Sequence, residues 1–375
     1  MMDRNRFYIG TYCLADYARD DAHIKDLKDC GIDFIANLQN DRQCLDTLDK
    51  FGVKAMLAGV TKRFDATSYE QEKALDEFCD HPAVIGFDIG DEPGAGDFAA
   101  YSKLAKTVKR KWPEKLPYLN LYPSYGQLAS LSKEEALRQL GTKDYVEYID
   151  KFAKTVDLDY ICYDHYMYSN DVETAISDLY TVSEACKNTG RDMWIVLQVN
   201  SHVPDRWISE NQLRFQAGSA LCFGAKLITW ACWTKGWWHN QVLDSNGEKT
   251  RQYERLKTVN HELKAVSEIF MPMKHNETIM LKKGGKTDVG EYLDIAADAD
   301  MIVGRFLSDK NESLLISNAS DPWDKAPGVN TLTFSVDHPV QVFVNGKKVA
   351  PCVCCSKYSV DIPTCGFALI TAKTI

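Results

Sequence analysis

The sequence predicts an α/β protein, with a (β/α)8 barrel over residues 1–272 and a small antiparallel β-sandwich over residues 273–375. The first observation is that eight apolar runs recur in the first part, nearly continuous as in buried parallel strands, with helical patterns between them. The second is that short β-rich segments separated by Gly, Asn and Asp follow Met273. A doubly wound sheet is the alternative for the first part, but eight regular units favour closure into a barrel.

The elements follow in order along the chain. The eight predicted strands begin at Phe7, Asp33, Val53, Ala83, Pro117, Leu158, Met193 and Leu227. Two clear helical faces run from Val172 to Cys186 and from Tyr253 to Val266, with apolar residues three or four positions apart. Acidic first turns such as RDDAHIKDL and SNDVETAI predict helix starts. In the second part, VNGKK is typical of a hairpin turn, which supports an antiparallel sandwich.

Composition narrows the classes of partner. Apolar residues make up 45% and charged residues 26% of 375, as in ordinary globular proteins. The net charge of -9, without a basic run, argues against nucleic acid and against an anionic membrane surface. No apolar run reaches the roughly 18 residues of a membrane span. MMDRNRFYIGTY lacks the pattern of a signal peptide, so we expect a cytoplasmic protein of undetermined oligomeric state.

The sequence predicts neither a cofactor nor a metal. Most of the twelve cysteines are scattered, and reduced buried thiols are the simplest interpretation. The CVCC cluster from Cys352 lacks the paired spacing of a zinc site. Three histidines near strand ends are compatible with a metal-dependent hydrolase, but strand 1 carries no His pair and strand 4 ends in acids.

Candidate functional residues follow from one rule: barrel enzymes react at the carboxyl ends of their strands. The residues there that carry polar or aromatic chemistry are Asp91, Glu92, Asn120, Tyr122, Asp164, His165, Tyr166, Gln198, Asn200, Trp230, Trp233, Trp237 and Trp238. Carboxylates perform acid and base chemistry, amides and hydroxyls bind sugar hydroxyls, and flat rings stack on pyranose faces. The sequence therefore predicts a carbohydrate substrate, with Asn120, Tyr122, Tyr166, His165, Gln198 and Asn200 as hydroxyl ligands and the four tryptophans as stacking walls.

The stretch VIGFDIGDEPGAGDF ends a predicted buried strand with two adjacent carboxylates. A carboxylic acid that donates a proton at neutral pH needs a raised pKa, which burial beside a second carboxylate supplies. Glu92 fits that role, and Pro93 and Gly94 turn the chain out of the strand. The alternative is that Asp91 and Glu92 only cap the next helix, a role that suits Asp97 better.

The GDEP motif resembles the acid/base motif of the barrel glycoside hydrolases related to β-galactosidases and cellulases, which usually have Asn-Glu-Pro. Here Asp91 stands where Asn is usual. The aromatic strand 8, ITWACWTKGWW, and the appended β-sandwich also resemble that superfamily. The resemblance implies a glycosidase with Glu92 as the general acid/base. Because the sequence shows no secretion signal, we expect it to act on small oligosaccharides or glycosides rather than on polymers.

One departure from the superfamily leaves the second catalytic group open. Its nucleophile is a Glu at the end of strand 7, where this sequence has Gln198, and a carboxamide cannot replace it. In one solution Asp164 is the second carboxylate. In another, Asp91 and Glu92 act as an adjacent pair, as in hexosaminidases that use the acetamido group of their own substrate. In the third, the barrel binds sugars without cleaving them.

Overall fold

The computed structural model describes residues 2–58, 73, 76–309, 311–354 and 357–373. Within these ranges the chain divides into two compact units. One contains residues 1–4, 8–207 and 227–254, and the other contains residues 5–7, 208–226 and 255–375. The predicted boundary at residue 272 between barrel and sandwich stays a prediction.

The predicted barrel is confirmed. Its eight parallel strands are β1 Tyr8–Tyr12, β2 Phe34–Leu38, β3 Lys54–Leu57, β4 Val84–Asp91, β5 Leu116–Asn120, β6 Tyr160–His165, β7 Asp192–Gln198 and β8 Ala225–Ala231. They pair in the order β5-β4-β3-β2-β1-β8-β7-β6. An isolated parallel bridge between Leu121 and Tyr163 joins β5 to β6 and closes the ring. The third predicted run extended to Val60, and Gly59 and Val60 lie outside the described residues.

Helices alternate with these strands. Those that the structure describes are α1 Asp21–Asp29, α2 Arg42–Lys50, α3 Phe98–Lys111, α4 Lys133–Leu140, α5 Tyr145–Thr155, α6 Val172–Thr189, α7 Glu210–Cys222 and α8 Arg251–Phe270. The predicted acidic starts are correct: Asp20 caps α1 and Asp171 caps α6 through their side chains. Gly190 ends α6 with a φ of 68°, a left-handed conformation that glycine adopts without a Cβ clash. Among the described residues, no helix is both long and apolar enough to cross a membrane.

The carboxy-terminal part forms two antiparallel sheets, as predicted. Its strands are β9 Lys274–Leu281, β10 Lys286–Val289, β11 Tyr292–Ala297, β12 Met301–Leu307, β13 Glu312–Asn318, β14 Val329–Ser335, β15 Val340–Val344, β16 Lys347–Val349, β17 Cys352–Cys354, β18 Lys357–Pro363 and β19 Phe367–Ala372. One sheet has the order β10-β11-β14-β18-β17 and the other β16-β15-β19-β13-β12-β9. Side chains of both sheets, such as Phe334 and Ile316, share one buried apolar cluster, which makes this region a sandwich.

Candidate active site

A pocket of about 430 Å³ opens at the carboxyl ends of the barrel strands. Among the described residues, every barrel strand except β3, or the loop that follows it, contributes to the lining. The lining residues are Tyr12, Cys13, Asn37, Asp91, Glu92, Asn120, Gln127, Leu128, Asp164, Tyr166, Val196, Trp237 and Trp238. The predicted acids therefore lie in the same pocket as two of the four predicted tryptophans.

An irregularity in β4 sets the direction of its acids. Asp88 pairs with Tyr118 but Gly90 pairs with Leu119, so β4 holds one more residue than β5 at this point. Such a bulge re-aims the side chains that follow it. The backbone N–H of Glu92 then donates to the carbonyl of Asn120 at 2.9 Å, which fixes the strand end beside β5.

Four lining residues have a left-handed backbone, which is uncommon for residues other than glycine. The φ angles are 65° at Cys13, 54° at Asn37, 47° at Glu92 and 63° at Trp238. Such conformations cost free energy, on the order of 1–3 kcal/mol each, and they concentrate at functional sites. Five further described non-glycine residues with a left-handed backbone lie outside the pocket lining, so these four support a functional role of this rim only together with the chemistry of its side chains.

Asn120 connects two of the carboxylates. Its side-chain Nδ2 donates to Asp91 Oδ1 at 3.0 Å and to Asp164 Oδ1 at 2.8 Å. Because one nitrogen reaches both oxygens, these oxygens lie within about 6 Å of each other. Asp164 is buried, with 2% of its surface exposed, whereas the exposed surface of Asp91 opens into the pocket.

The pKa of the Glu92 carboxyl is strongly raised. Burial raises its pKa to about 10, and the nearby charges of Asp164 and Asp91 and a hydrogen bond to Asp164 act in the same direction. Burial and the charge of Asp91 also raise the pKa of Asp164, despite the Asn120 donor. Asp164 Oδ2 is buried and has no hydrogen-bond partner within the described ranges, so a negative charge on this carboxyl is poorly satisfied. At neutral pH this pair therefore holds a proton at the pocket wall.

A fourth carboxyl lies deeper in the barrel. Asp88 is buried, accepts from Asn37 Nδ2 at 2.7 Å and from the N–H of Gly90 at 3.0 Å, and sits close to Asp91. Burial, followed by the charge of Asp91, raises its pKa to about 7. Burial also raises the pKa of Asp91, against the lowering effect of its bond from Asn120. The negative field of this cluster favours protonated carboxyls throughout the pocket floor.

Aromatic rings form another part of the pocket lining. The ring of Trp237 lies 6.1 Å from that of Tyr12 and 6.3 Å from that of Tyr166, and Trp238 lies 5.0 Å from Tyr166, edge to face. Asn200 Nδ2 donates to the carbonyl of Trp237 at 2.6 Å and so holds the loop in place. Trp237 is 36% exposed, which leaves a flat apolar face available for a ligand.

The prediction that Trp230 and Trp233 form stacking walls is wrong. Both indoles have no exposed surface. Trp230 lies within β8, and the ring of Trp233 packs edge to face against Tyr253 at 6.0 Å. The backbone N–H of Trp233 is also bonded to the carbonyl of Tyr12, so the polar loop begins only after it. These two side chains contribute to the core.

Four predicted hydroxyl ligands do not line the pocket: Tyr122, His165, Gln198 and Asn200. The amide of Gln198 is fully buried and bonds the N–H of Tyr168, Ser169 Oγ and the carbonyl of Asn200. His165 Nδ1 contacts Asp178 Oδ2 at 3.0 Å, in a buried pair. Tyr122 is half-buried close to the acids: burial and then Glu92 raise its pKa to about 12.

The sequence prediction did not include six lining residues: Tyr12, Cys13, Asn37, Gln127, Leu128 and Val196. A signal for the first three is present in the sequence, since Tyr12 ends the first predicted strand, Cys13 follows it and Asn37 lies near the end of the second. Among the described residues, no group of three or more His, Cys, Asp or Glu side chains is arranged to hold a metal ion.

Comparisons with known proteins define the fold. No protein-family model matches the sequence, and no curated protein matches it. Solved structures do: an Anoxybacillus α-amylase is similar with a TM-score of 0.55 and 10% identity, over 100% of both chains. A GH30 endoxylanase from Clostridium papyrosolvens has a TM-score of 0.50 and 9% identity, over 98% of this chain and 97% of that one.

A putative α-L-fucosidase from Bacteroides thetaiotaomicron is similar as well. Its TM-score is 0.51 at 14% identity, and the match covers 68% of this chain and 95% of that one. The chain thus has the fold of TIM-barrel glycoside hydrolases, and the resemblance expected from the sequence is confirmed at that level. At identities this low, structural similarity supports the fold alone, so the substrate has to be inferred from the residues of the pocket.

Proposed function

We propose that this protein is a glycoside hydrolase that cleaves O-glycosidic bonds of small oligosaccharides or glycosides, with Glu92 as the general acid. The observation that carries the proposal is the position of the Glu92 carboxyl in one pocket with Asp164 and Asp91, where burial and their charges raise its pKa. A departing sugar oxygen needs a proton as the glycosidic bond breaks, and a neutral carboxylic acid within reach can supply it. In a retaining reaction the same group then acts as the base.

The remaining pocket surface suits a carbohydrate. Trp237 and Trp238 line the same pocket as Asp91, whose carboxyl can accept from a sugar hydroxyl, whereas the amide of Asn120 is occupied by Asp91, Asp164 and the thiol of Cys162. The volume of about 430 Å³ falls in the range of small-molecule pockets, roughly 300–1,000 Å³. A pocket of this size supports a small glycoside as the substrate.

The spacing of the acids bears on the second catalytic group. Retaining glycosidases separate their two carboxyls by about 5–5.5 Å and inverting ones by about 6.5–9.5 Å. Glu92 and Asp164 line the same pocket, and the charge of Asp164 is the second cause, after burial, of the raised pKa of Glu92. Asp164 is therefore the first candidate for the second carboxyl, and the configuration of the product decides whether it acts as a nucleophile or as a base.

Asp91 supports a second candidate function, a substrate-assisted N-acetylhexosaminidase. Its carboxyl is exposed to the pocket and adjacent in sequence to Glu92, so both can contact one sugar. In that mechanism Asp91 orients the acetamido group, which attacks the anomeric carbon, while Glu92 protonates the leaving oxygen. No protein nucleophile is required, which is compatible with Gln198 at the end of β7.

The test is a screen of aryl glycosides with and without a 2-acetamido group, with the product anomer followed by NMR. On the best substrate, Glu92→Gln should lower kcat by at least about 10²-fold for a poor leaving group. The loss should be much smaller for an activated leaving group that needs no proton. Glu134→Gln, at an exposed glutamate, is the matched control.

Three results separate the alternatives. A preference for acetamido substrates, together with a larger loss in Asp91→Asn than in Asp164→Asn, selects the substrate-assisted mechanism. A larger loss in Asp164→Asn selects Asp164 as the second group. Sugar binding by calorimetric titration, with no product from any glycoside, would leave only the carbohydrate-binding alternative and overturn the proposed activity.

A further inference from the structure

Two thiols meet at the edge of the pocket. Cys13 follows β1 and lines the pocket, and Cys232 follows β8. These strands pair in parallel, with Thr11 opposite Trp230, so the register carries Cys13 to a position opposite Cys232. Both thiols are free, and both sulfurs lie against the same residue, Gly236.

The thiol pair is in contact with the loop that carries the aromatic wall. A Cβ atom built on Gly236 would lie 2.4 Å from Cys13 Sγ and 3.1 Å from Cys232 Sγ, so both sulfurs press against the Gly236 backbone. Asn200 Nδ2 lies 3.7 Å from Cys232 Sγ and 2.6 Å from the carbonyl of Trp237. The thiol pair is therefore linked to the backbone of Trp237 through Gly236 and Asn200.

The two thiols are not equivalent. Cys13 is partly exposed to the pocket, and the hydrogen bond from Cys232 lowers its pKa, whereas burial raises the pKa of Cys232. The thiolate is the form that reacts with oxidants, so Cys13 is the thiol that reacts first. A second thiol in contact with it is the usual partner that resolves a sulfenic acid.

We propose that Cys13 and Cys232 are a peroxide-sensitive thiol pair whose oxidation to a disulfide reshapes the pocket. The Cys13 thiolate attacks one oxygen of hydrogen peroxide, the O–O bond breaks, and Cys13 becomes a sulfenic acid as hydroxide leaves. Cys232 sulfur then attacks Cys13 sulfur, the S–O bond breaks, and the thiol proton leaves with the hydroxyl as water. The hydroxide from the first step takes up the proton that Cys13 lost when it formed the thiolate. In total, two thiols are oxidised to one disulfide and one hydrogen peroxide is reduced to two waters.

A disulfide bond holds its two sulfurs about 2.05 Å apart, which is closer than any non-bonded contact. Gly236 packs on both of them, so its backbone and the adjacent Trp237 must shift. If the chain is a glycosidase, as proposed above, oxidation should lower its activity by about 10-fold or more, since a 1 Å misplacement of a positioning group can cost about 10²-fold. Formation of the disulfide itself does not depend on the proposed activity.

The experiment uses the full chain with Cys352, Cys354 and Cys355 changed to Ser, which removes the cysteine cluster near β17 as a source of intermolecular disulfides. The protein is treated with hydrogen peroxide, digested without reductant and analysed by mass spectrometry. We expect a peptide pair joined through Cys13 and Cys232, its loss after dithiothreitol, and a reversible change in tryptophan fluorescence. With Cys232→Ala we expect Cys13 to be trapped by dimedone as a sulfenic acid, without the joined peptides.

Two results would overturn the proposal: Cys13 stays reduced while other cysteines are oxidised, or Cys13 is oxidised and never joined to Cys232. Both results are measured on the full chain in which only Cys352, Cys354 and Cys355 are changed to Ser, so a folding defect in the Cys232 variant does not affect them. The ratio of activities before and after peroxide is a separate readout. A joined peptide in a protein without glycosidase activity keeps the thiol proposal and rejects the proposed function.

Discussion

The raised pKa of Glu92 can be tested without any substrate, through the dependence of protein stability on pH. A glutamate in the unfolded chain has a pKa of about 4.3, whereas Glu92 in the fold has a pKa of about 10. Between these values the folded protein binds one proton more than the unfolded chain at this site. The free energy of unfolding therefore falls as the pH rises through this window.

The magnitude follows from proton linkage. One extra proton in the folded state gives a slope of about 1.36 kcal/mol per pH unit, or about 2.7 kcal/mol between about pH 6 and about pH 8. Glu92 is half-buried, and water in the pocket mouth screens its charge. We therefore expect a difference of about 1–2.5 kcal/mol over this range. Glu92→Gln removes the titrating group, so the variant should gain stability relative to the wild type as the pH rises.

The assay is urea denaturation of wild type and variant at several pH values, followed by tryptophan fluorescence. Glu134→Gln removes the same chemical group from an exposed site and should keep a constant difference from wild type across the range. If the Glu92→Gln difference is equally constant, Glu92 does not hold its proton at neutral pH. The argument for a general acid at this position is then refuted.

Two further changes test the pocket walls. The amide of Asn120 donates to Asp91 and Asp164 and lowers the pKa of both carboxyls. Asn120→Ala removes this amide, so both pKa values should rise and the acidic limb of the pH profile of kcat/KM should move to higher pH. An unchanged acidic limb would show that this amide does not control the pKa values that govern activity. Trp237→Ala should raise KM about 2- to 13-fold with little change in kcat, as expected for the loss of about 0.5–1.5 kcal/mol of ring stacking. Trp233→Ala should instead lower the free energy of unfolding by about 3–5 kcal/mol, because its indole is fully buried; the opposite pattern for the two tryptophans would refute their assignment to wall and core.

The periodicity of the sequence determined the barrel and the sandwich. Buried parallel strands are apolar on both faces, so each appears as a continuous run, and helices between them show one apolar face. The rule that parallel strands end on one rim also placed Asp91, Glu92 and Asp164 together. These are consequences of local pattern and general topology, and they require no knowledge of individual side-chain directions.

The tertiary structure decided which side chains face the pocket. Alternation predicts direction only while a strand is regular, and here a bulge in β4 and left-handed residues at several strand ends interrupt it. For that reason Trp233 and Trp237, four residues apart, could not be assigned to core and wall from the sequence. The same holds for contacts between distant strands: Asn120 between two carboxyls, and Cys13 against Cys232, arise only when the barrel closes. Closure brings together residues that no local pattern relates, so the sequence specifies the rim and the fold specifies the site.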